Sequence, residues 1–179
     1  ITSTVISLLL KNLFMLDKGK RVKAVDVELR DLVLRYKNCN FPPDMYATMF
    51  YYQYNRKDKI LSVSNAAHPY FLYYRPSNNE QITFTKKTDP IWGATDSPAY
   101  PVKNIAVQPD DVMLLFTDGI YEHLTASEKK IVEKELTDLV IQNCKLPAKE
   151  LIQTCVDFLL SQCPDGKFED DVTIKIVKF

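Results

Sequence analysis

Apolar residues recur along this chain with two different periods, and the switch between them marks its organisation. Val5 to Leu16 is a dense apolar run ended by Asp17-Lys18-Gly19, which predicts a first helix. Val25, Leu29, Leu32, Val33 and Tyr36 then recur at helical spacing and predict an amphipathic helix from Val25 to Tyr36. Pro42-Pro43-Asp44 stops it. Beyond that point the pattern is that of strands. Met45 to Tyr54 and Ile60 to Ser64 flank the turn Asn55-Arg56-Lys57-Asp58 and predict a hairpin. Tyr70 to Tyr74 and Ile82 to Thr85 predict a second pair around Pro76-Ser77-Asn78-Asn79. Thr88 to Pro101 is loop-like and holds Trp92 beside Gly93, and Asn104 to Val107 and Val112 to Phe116 are strands separated by Gln108-Pro109-Asp110-Asp111. Helices return from Ser127 to Asn143, with Thr125 or Ser127 as N-cap, and from Pro147, a favoured first-turn residue, to about Ser161. Val172 to Val177 closes the chain as a strand. Helices on both sides of antiparallel strands predict an α+β layered fold.

Bulk properties narrow the classes. At 179 residues the chain reads as one domain, 1–179, able to bury a sizeable core. Its formal charge is zero, so nothing advertises a nucleic-acid partner or an anionic membrane surface. Cys39, Cys144, Cys155 and Cys163 form no CxxC pair, which argues against zinc and a disulfide framework and for a reducing cytoplasm. Val5 to Leu16 is broken by Lys11 and Asn12, is too short to span a bilayer and lacks a basic leader, so no membrane insertion is expected. Glycine is scarce, at four residues against the roughly 7% of average usage. Either the chain makes few tight ligand turns, or a glycine-bearing part precedes Ile1; the abrupt opening Ile1-Thr2-Ser3-Thr4 favours the second view.

Candidate chemistry concentrates at two strand edges. Val112 to Phe116, an unbroken apolar run, predicts a strand buried on both faces and empties through Thr117 into Asp118-Gly119. Glu169-Asp170-Asp171 precedes the β-prone closing segment in the same way. Carboxylates held at the mouths of rigid elements suit a hard cation. Taken singly, each has an ordinary explanation: Asp-Gly is a common turn, with Gly supplying positive φ, and a terminal acidic run is a solvated loop.

The order of motifs carries more. The chain shows Asp44-Met45-Tyr46-Ala47-Thr48-Met49-Phe50, then Ser64-Asn65-Ala66-Ala67-His68-Pro69, then Ile91-Trp92-Gly93. Gln108-Pro109-Asp110-Asp111 leads on through Val112-Met113-Leu114-Leu115-Phe116-Thr117-Asp118-Gly119-Ile120-Tyr121-Glu122, and Asp170-Asp171-Val172-Thr173 follows near the end. This series resembles the C-terminal two-thirds of the bacterial SpoIIE/RsbU branch of the PPM (PP2C-like) serine/threonine phosphatases. The resemblance implies a four-layer αββα sandwich of two antiparallel sheets flanked by helices, with a two-metal Mn²⁺ or Mg²⁺ site. It puts catalytic metal ligation on Asp118 and Asp170. Asp171 stands beside the ligand and belongs to the metal-binding set as an outer carboxylate, or is a solvated loop residue. No separate cofactor-binding residues are implied.

Two departures stand out. Ala67 replaces the family's Gly in N-A-G-H-P, at a cost of about 1 kcal/mol if that turn needs positive φ. His68 is then expected to structure the turn and not to bind metal. The family's N-terminal G-D-x-x-D and G-D-V-x-G-H-G motifs, the second supplying a bridging aspartate, do not occur in these residues.

The implied activity is hydrolysis of a phosphoserine or phosphothreonine protein by metal-activated water, with no nucleophilic side chain and no C-x₅-R signature. The implied substrate is a phosphorylated anti-anti-sigma (STAS-type) protein. An upstream sensor or receiver domain is a further expected partner. The setting is cytoplasmic, or the cytoplasmic part of a membrane-tethered protein. The segment by itself is expected to be almost inactive. The alternative is a PPM-fold interaction module without chemistry. Against it stands the retention of three acidic residues, expected to be buried and mutually repelling.

Overall fold

The computed structural model describes residues 23–40, 42, 45–68, 70–83, 99–121, 124–163 and 165–179. The helix expected over Val5 to Leu16 lies outside them, as do Asp44, Asp89, Trp92, Gly93, Asp96 and Glu122. The chain divides into two compact units, Ile1–His68 with Thr85–Ala106, and Pro69–Phe84 with Val107–Phe179. Each is built on its own antiparallel sheet.

In the first unit, helix α1 (Val25–Lys37) buries the five residues whose spacing predicted it: Val25, Leu29, Leu32, Val33 and Tyr36. Asp26 and Glu28 in its first turn and Arg35 and Lys37 in its last complement the helix dipole. Its apolar face packs on Ala66 and Tyr100, flanked by Met45, Met49 and Tyr51. The sheet runs β1 (Met49–Asn55), β2 (Ile60–Ala66), β5 (Lys103–Ala106) in spatial order. Strand β1 begins at Met49 and not near Met45, because the Met45 carbonyl accepts from the Tyr36 hydroxyl at 3.0 Å instead of joining a ladder. The hairpin turn is closed by Asn55, whose Oδ1 accepts from the amides of Lys57 at 3.0 Å and Asp58 at 3.2 Å.

In the second unit the order is β4 (Glu80–Thr83), β3 (Tyr70–Arg75), β6 (Val112–Phe116), β7 (Ile174–Lys178). Every residue of β6 is buried, as its unbroken apolar run predicted. One face of the sheet carries Leu72, Tyr74, Val112, Leu114 and Phe116. It packs on Val132, Leu136 and Val140 of α2 (Ala126–Gln142) and on Leu151, Cys155 and Leu159 of α3 (Ala148–Ser161). Both helical triplets recur every four residues, so each presents one stripe. Cys155 behaves as a small apolar residue, and burial pushes its thiol up to about 11.

Helix α2 opens on a capping box: Thr125 accepts from the Glu128 amide, and Glu128 accepts from the Thr125 amide. Pro147 stands at the N-cap of α3, one position earlier than expected. Lys178 Nζ donates to the Cys144 and Leu146 carbonyls, both at 2.7 Å, so the last strand ties down the link between the helices.

Asp111, placed by the sequence in the segment that separates two strands, is fully buried. Its Oδ2 accepts from the Tyr73 hydroxyl, from the Gln108 amide at 2.9 Å and, at 3.4 Å, from Nε and Nη2 of Arg75. Burial, then the hydrogen bond to Asp111 and its charge, push the Tyr73 hydroxyl above its ordinary value. The backbones of Asp110 and Asp111 also exchange hydrogen bonds with Phe179. The entrance of β6 is thereby pinned to the end of the chain.

Glycine scarcity has a direct structural counterpart. Among the described residues, positive φ occurs at Asn40, Lys59, Ala67, Asn79 and Asp110, against Gly166 alone among glycines. The chain does make tight turns, and makes them largely without glycine.

Asp111→Ala should lower the unfolding free energy by about 1–3 kcal/mol, since it leaves the buried Tyr73 hydroxyl without its acceptor, while Arg75 keeps its ion pair with Glu80 at 2.8 Å. Urea denaturation measures this. Combined with Tyr73→Phe, the loss should be less than the sum of the two single losses, because the residues share one network.

Candidate active site at the mouth of strand β6

Strand β6 delivers Thr117 to the sheet edge, where the chain turns into a single 3₁₀ turn, Asp118–Tyr121. The last ladder pair is Phe116 with Ile174. At the next position the Thr117 amide donates to the Thr173 carbonyl at 3.0 Å, while the Thr173 amide donates to the Thr117 hydroxyl at 2.9 Å. A side-chain oxygen thus stands in for the backbone acceptor of an ordinary antiparallel pair. Strand β7 accordingly starts at Ile174, two residues later than the sequence pattern suggested.

Gly119 is the second point of contact. A Cβ there would lie 2.5 Å from the Asp171 carbonyl oxygen and 3.1 Å from its carbon. The backbones of the two acidic segments therefore meet at a place that only glycine permits. Gly119 is required for close approach and not, as a common Asp-Gly turn would have it, for positive φ, since Gly166 is the positive-φ glycine of the described residues.

Asp118, Asp170 and Asp171 are all exposed. The expectation of buried, mutually repelling carboxylates is corrected here: each lies beyond a strand end, where water reaches it. Hydrated carboxylates repel weakly, so their retention does not by itself separate an active site from an inactive module. Asp170 Oδ1 accepts from the following Asp171 amide at 2.8 Å. Among the described residues, no group of three or more His, Cys, Asp or Glu side chains gathers so as to hold a metal ion. The donors at this edge are carboxylate oxygens, which fit a hard divalent cation. Mg²⁺ in particular is commonly held by one or two carboxylates with the remainder of its shell water. What is present here fits part of such a shell.

The Asn65–His68 turn belongs to the first unit. Asn65 organises it, with Oδ1 accepting from the His68 amide at 2.7 Å and Nδ2 donating to the His68 carbonyl at 3.0 Å. His68 contributes its backbone to this clasp, and its ring lies 6.4 Å from that of Phe50, centroid to centroid. Ala67 has φ 55°, so the turn does need the left-handed conformation for which the family pattern carries Gly. Sequence reasoning missed two residues of the site, Thr117 as a clasp and Gly119 as a contact. The repeated threonine, one before Asp118 and one after Asp171-Val172, was the available signal.

A family model described as Stage II sporulation protein E (SpoIIE) matches residues 1–179. The phosphoserine phosphatase RsbU of Bacillus subtilis (strain 168) is 26% identical over 140 residues, covering 78% of this chain and 41% of RsbU. The crystal structure of the RsbU and RsbW domains of a Mycobacterium tuberculosis protein superposes with a TM-score of 0.71 at 18% identity, over 97% of this chain and 47% of that one. RsbX in complex with magnesium superposes with a TM-score of 0.64 at 13% identity, over 96% and 70% of the two chains. The chain thus spans less than half the length of RsbU. The solved structures share its fold, the α+β architecture of the PPM phosphatases. No helix among the described residues is long and apolar enough to cross a membrane.

Gly119→Ala should cost about 1–3 kcal/mol through overpacking against the Asp171 backbone, seen as a lowered melting temperature. Ala67→Gly should act in the opposite sense, raising stability by about 0.5–1 kcal/mol by removing left-handed strain.

Proposed function

The chain belongs to the SpoIIE family, and from that premise we propose that it is the C-terminal part of a metal-dependent protein serine/threonine phosphatase domain. The observation that carries this is the meeting of the Asp118 and Asp170-Asp171 segments, joined through Thr117–Thr173 and Gly119–Asp171 although Thr117 and Thr173 lie 56 positions apart. In this reading Asp118 and Asp170 ligate Mg²⁺ or Mn²⁺, and Asp171 supports the site from beside Asp170. The relatives agree with it: RsbU is a phosphoserine phosphatase, and RsbX was crystallised with magnesium.

A bound metal pair supplies a water of lowered pKa and charge neutralisation at the phosphoryl oxygens. The protein's own residues do the remainder. Asp118 lies on the turn after a fully buried strand, next to Gly119, whose backbone abuts that of Asp171. Exposure of all three carboxylates leaves room for a phosphate carried on a folded protein, which a deep pocket would exclude. The substrate we propose is a phosphorylated STAS-type regulator, in the cytoplasm or at the cytoplasmic side of a membrane-tethered assembly, with a sensor or receiver domain in control.

A second reading, a PPM-fold interaction module without chemistry, draws on the incomplete ligand group among the described residues and on Ala67. One experiment separates the two. In a domain extended to carry the family's N-terminal metal motifs, Asp118→Asn should lower Mn²⁺-dependent turnover of a phosphopeptide by roughly a hundredfold or more at limiting metal, since even partners outside a ligand shell are worth about 10–100-fold. Residues 1–179 alone should turn over little or nothing. An extended wild-type domain with no Mn²⁺-dependent turnover supports the module. Robust turnover by residues 1–179 alone would mean that another carboxylate, such as Asp44, Asp89 or Asp96, completes the site.

A further inference from the structure

We propose that Thr117 is a positioning residue: its hydroxyl, by holding the Thr173 amide, sets the placement of the Asp170-Asp171 loop relative to Asp118 and thereby the affinity for a divalent cation. This rests on the reading of that edge as metal-binding and adds to it a residue that touches neither metal nor substrate.

An antiparallel pair normally exchanges two backbone hydrogen bonds. At Thr117 and Thr173 one is kept, the Thr117 amide to the Thr173 carbonyl at 3.0 Å. The other is diverted to the Thr117 hydroxyl at 2.9 Å. The Thr117 carbonyl is thereby released from the ladder, and the chain turns at once into the 3₁₀ turn that carries Asp118. A valine has the same shape but no acceptor, so the substitution isolates this one bond. Thr173 is exposed, so its freed amide would be taken up by water and the fold retained. The loop would still be held by the Thr117 amide on the Thr173 carbonyl and stopped at Gly119 against the Asp171 carbonyl, but on two contacts instead of three. A ligand group that must be ordered when the ion arrives binds it less tightly than one already in place.

The test is Mn²⁺ titration by calorimetry, with electron paramagnetic resonance counting free Mn²⁺, on the domain extended through the family's N-terminal motifs. Thr117→Val should raise the Mn²⁺ Kd about tenfold, the low end of the roughly 10–100-fold that outer partners of metal sites are worth. Its melting temperature should stay close to that of the parent. Thr117→Ser, which keeps the hydroxyl, should restore the affinity. Parent-like affinity in Thr117→Val, or equal weakening in the Ser and Val variants, overturns the proposal. Should Thr117→Val fail to fold, Thr117→Ala against Thr117→Ser makes the same comparison, with parent-like affinity in the Ala variant overturning it. Asp118→Asn separates the two levels. If it loses Mn²⁺ while Thr117→Val does not, positioning alone fails. If it binds Mn²⁺ like the parent, the metal-site reading falls and takes this proposal with it.

Discussion

Strand β6 is the element on which the second unit depends, because both of its ends are fixed by interactions that cannot slip. At its entrance, buried Asp111 gathers Tyr73, Arg75 and the Gln108 amide, while the backbones of Asp110 and Asp111 bond Phe179. At its exit, Thr117 is clasped to Thr173. A register shift of one residue would turn all five buried side chains to the wrong faces and would bury Asp111 away from its donors. The register of β7 against β6 is set from both ends. The position of one acidic segment beside the other follows from that register.

The burial of Asp111 contrasts with the exposure of Asp118, Asp170 and Asp171. A buried carboxylate must be met by donors, and Asp111 is met by a hydroxyl, a guanidinium and an amide. The three at the exit meet mostly water. They can therefore exchange water for a cation without breaking up the core. The chain commits its buried charge to holding the strand and leaves its solvated charge outside the core.

Backbone strain is distributed in an unusual way. Positive φ falls on Asn40, Asn79 and Asp110, types that tolerate it, but also on Lys59 and Ala67, which do not. At Ala67 the Asn65 side chain clasps the His68 backbone on both its amide and its carbonyl, which compensates for the missing glycine. At Gly119 no such compensation is available, because the obstacle is a neighbouring backbone and not a dihedral preference. This explains why so few glycines suffice.

The sequence by itself determined the alternation of helices and strands, the both-faces burial of Val112 to Phe116, the apolar stripe of Val25 to Tyr36, and the two acidic strand edges. All of these rest on periodicity and on short-range turn chemistry, which a single chain displays openly. Tertiary structure decided what depends on partners far away in the chain. Asp111 reads as part of a link between strands until Tyr73 and Arg75 of β3 meet its carboxylate. Gly119 reads as a turn glycine until the Asp171 carbonyl occupies the space of its missing Cβ. Thr117 reads as a strand terminus until Thr173 claims its hydroxyl. Exposure of the acidic residues could not be read either, since a carboxylate at a strand mouth points into the core or into water according to how the chain leaves the sheet. Local pattern specifies the elements; contacts between segments distant in the chain decide which side chains are held, and for what.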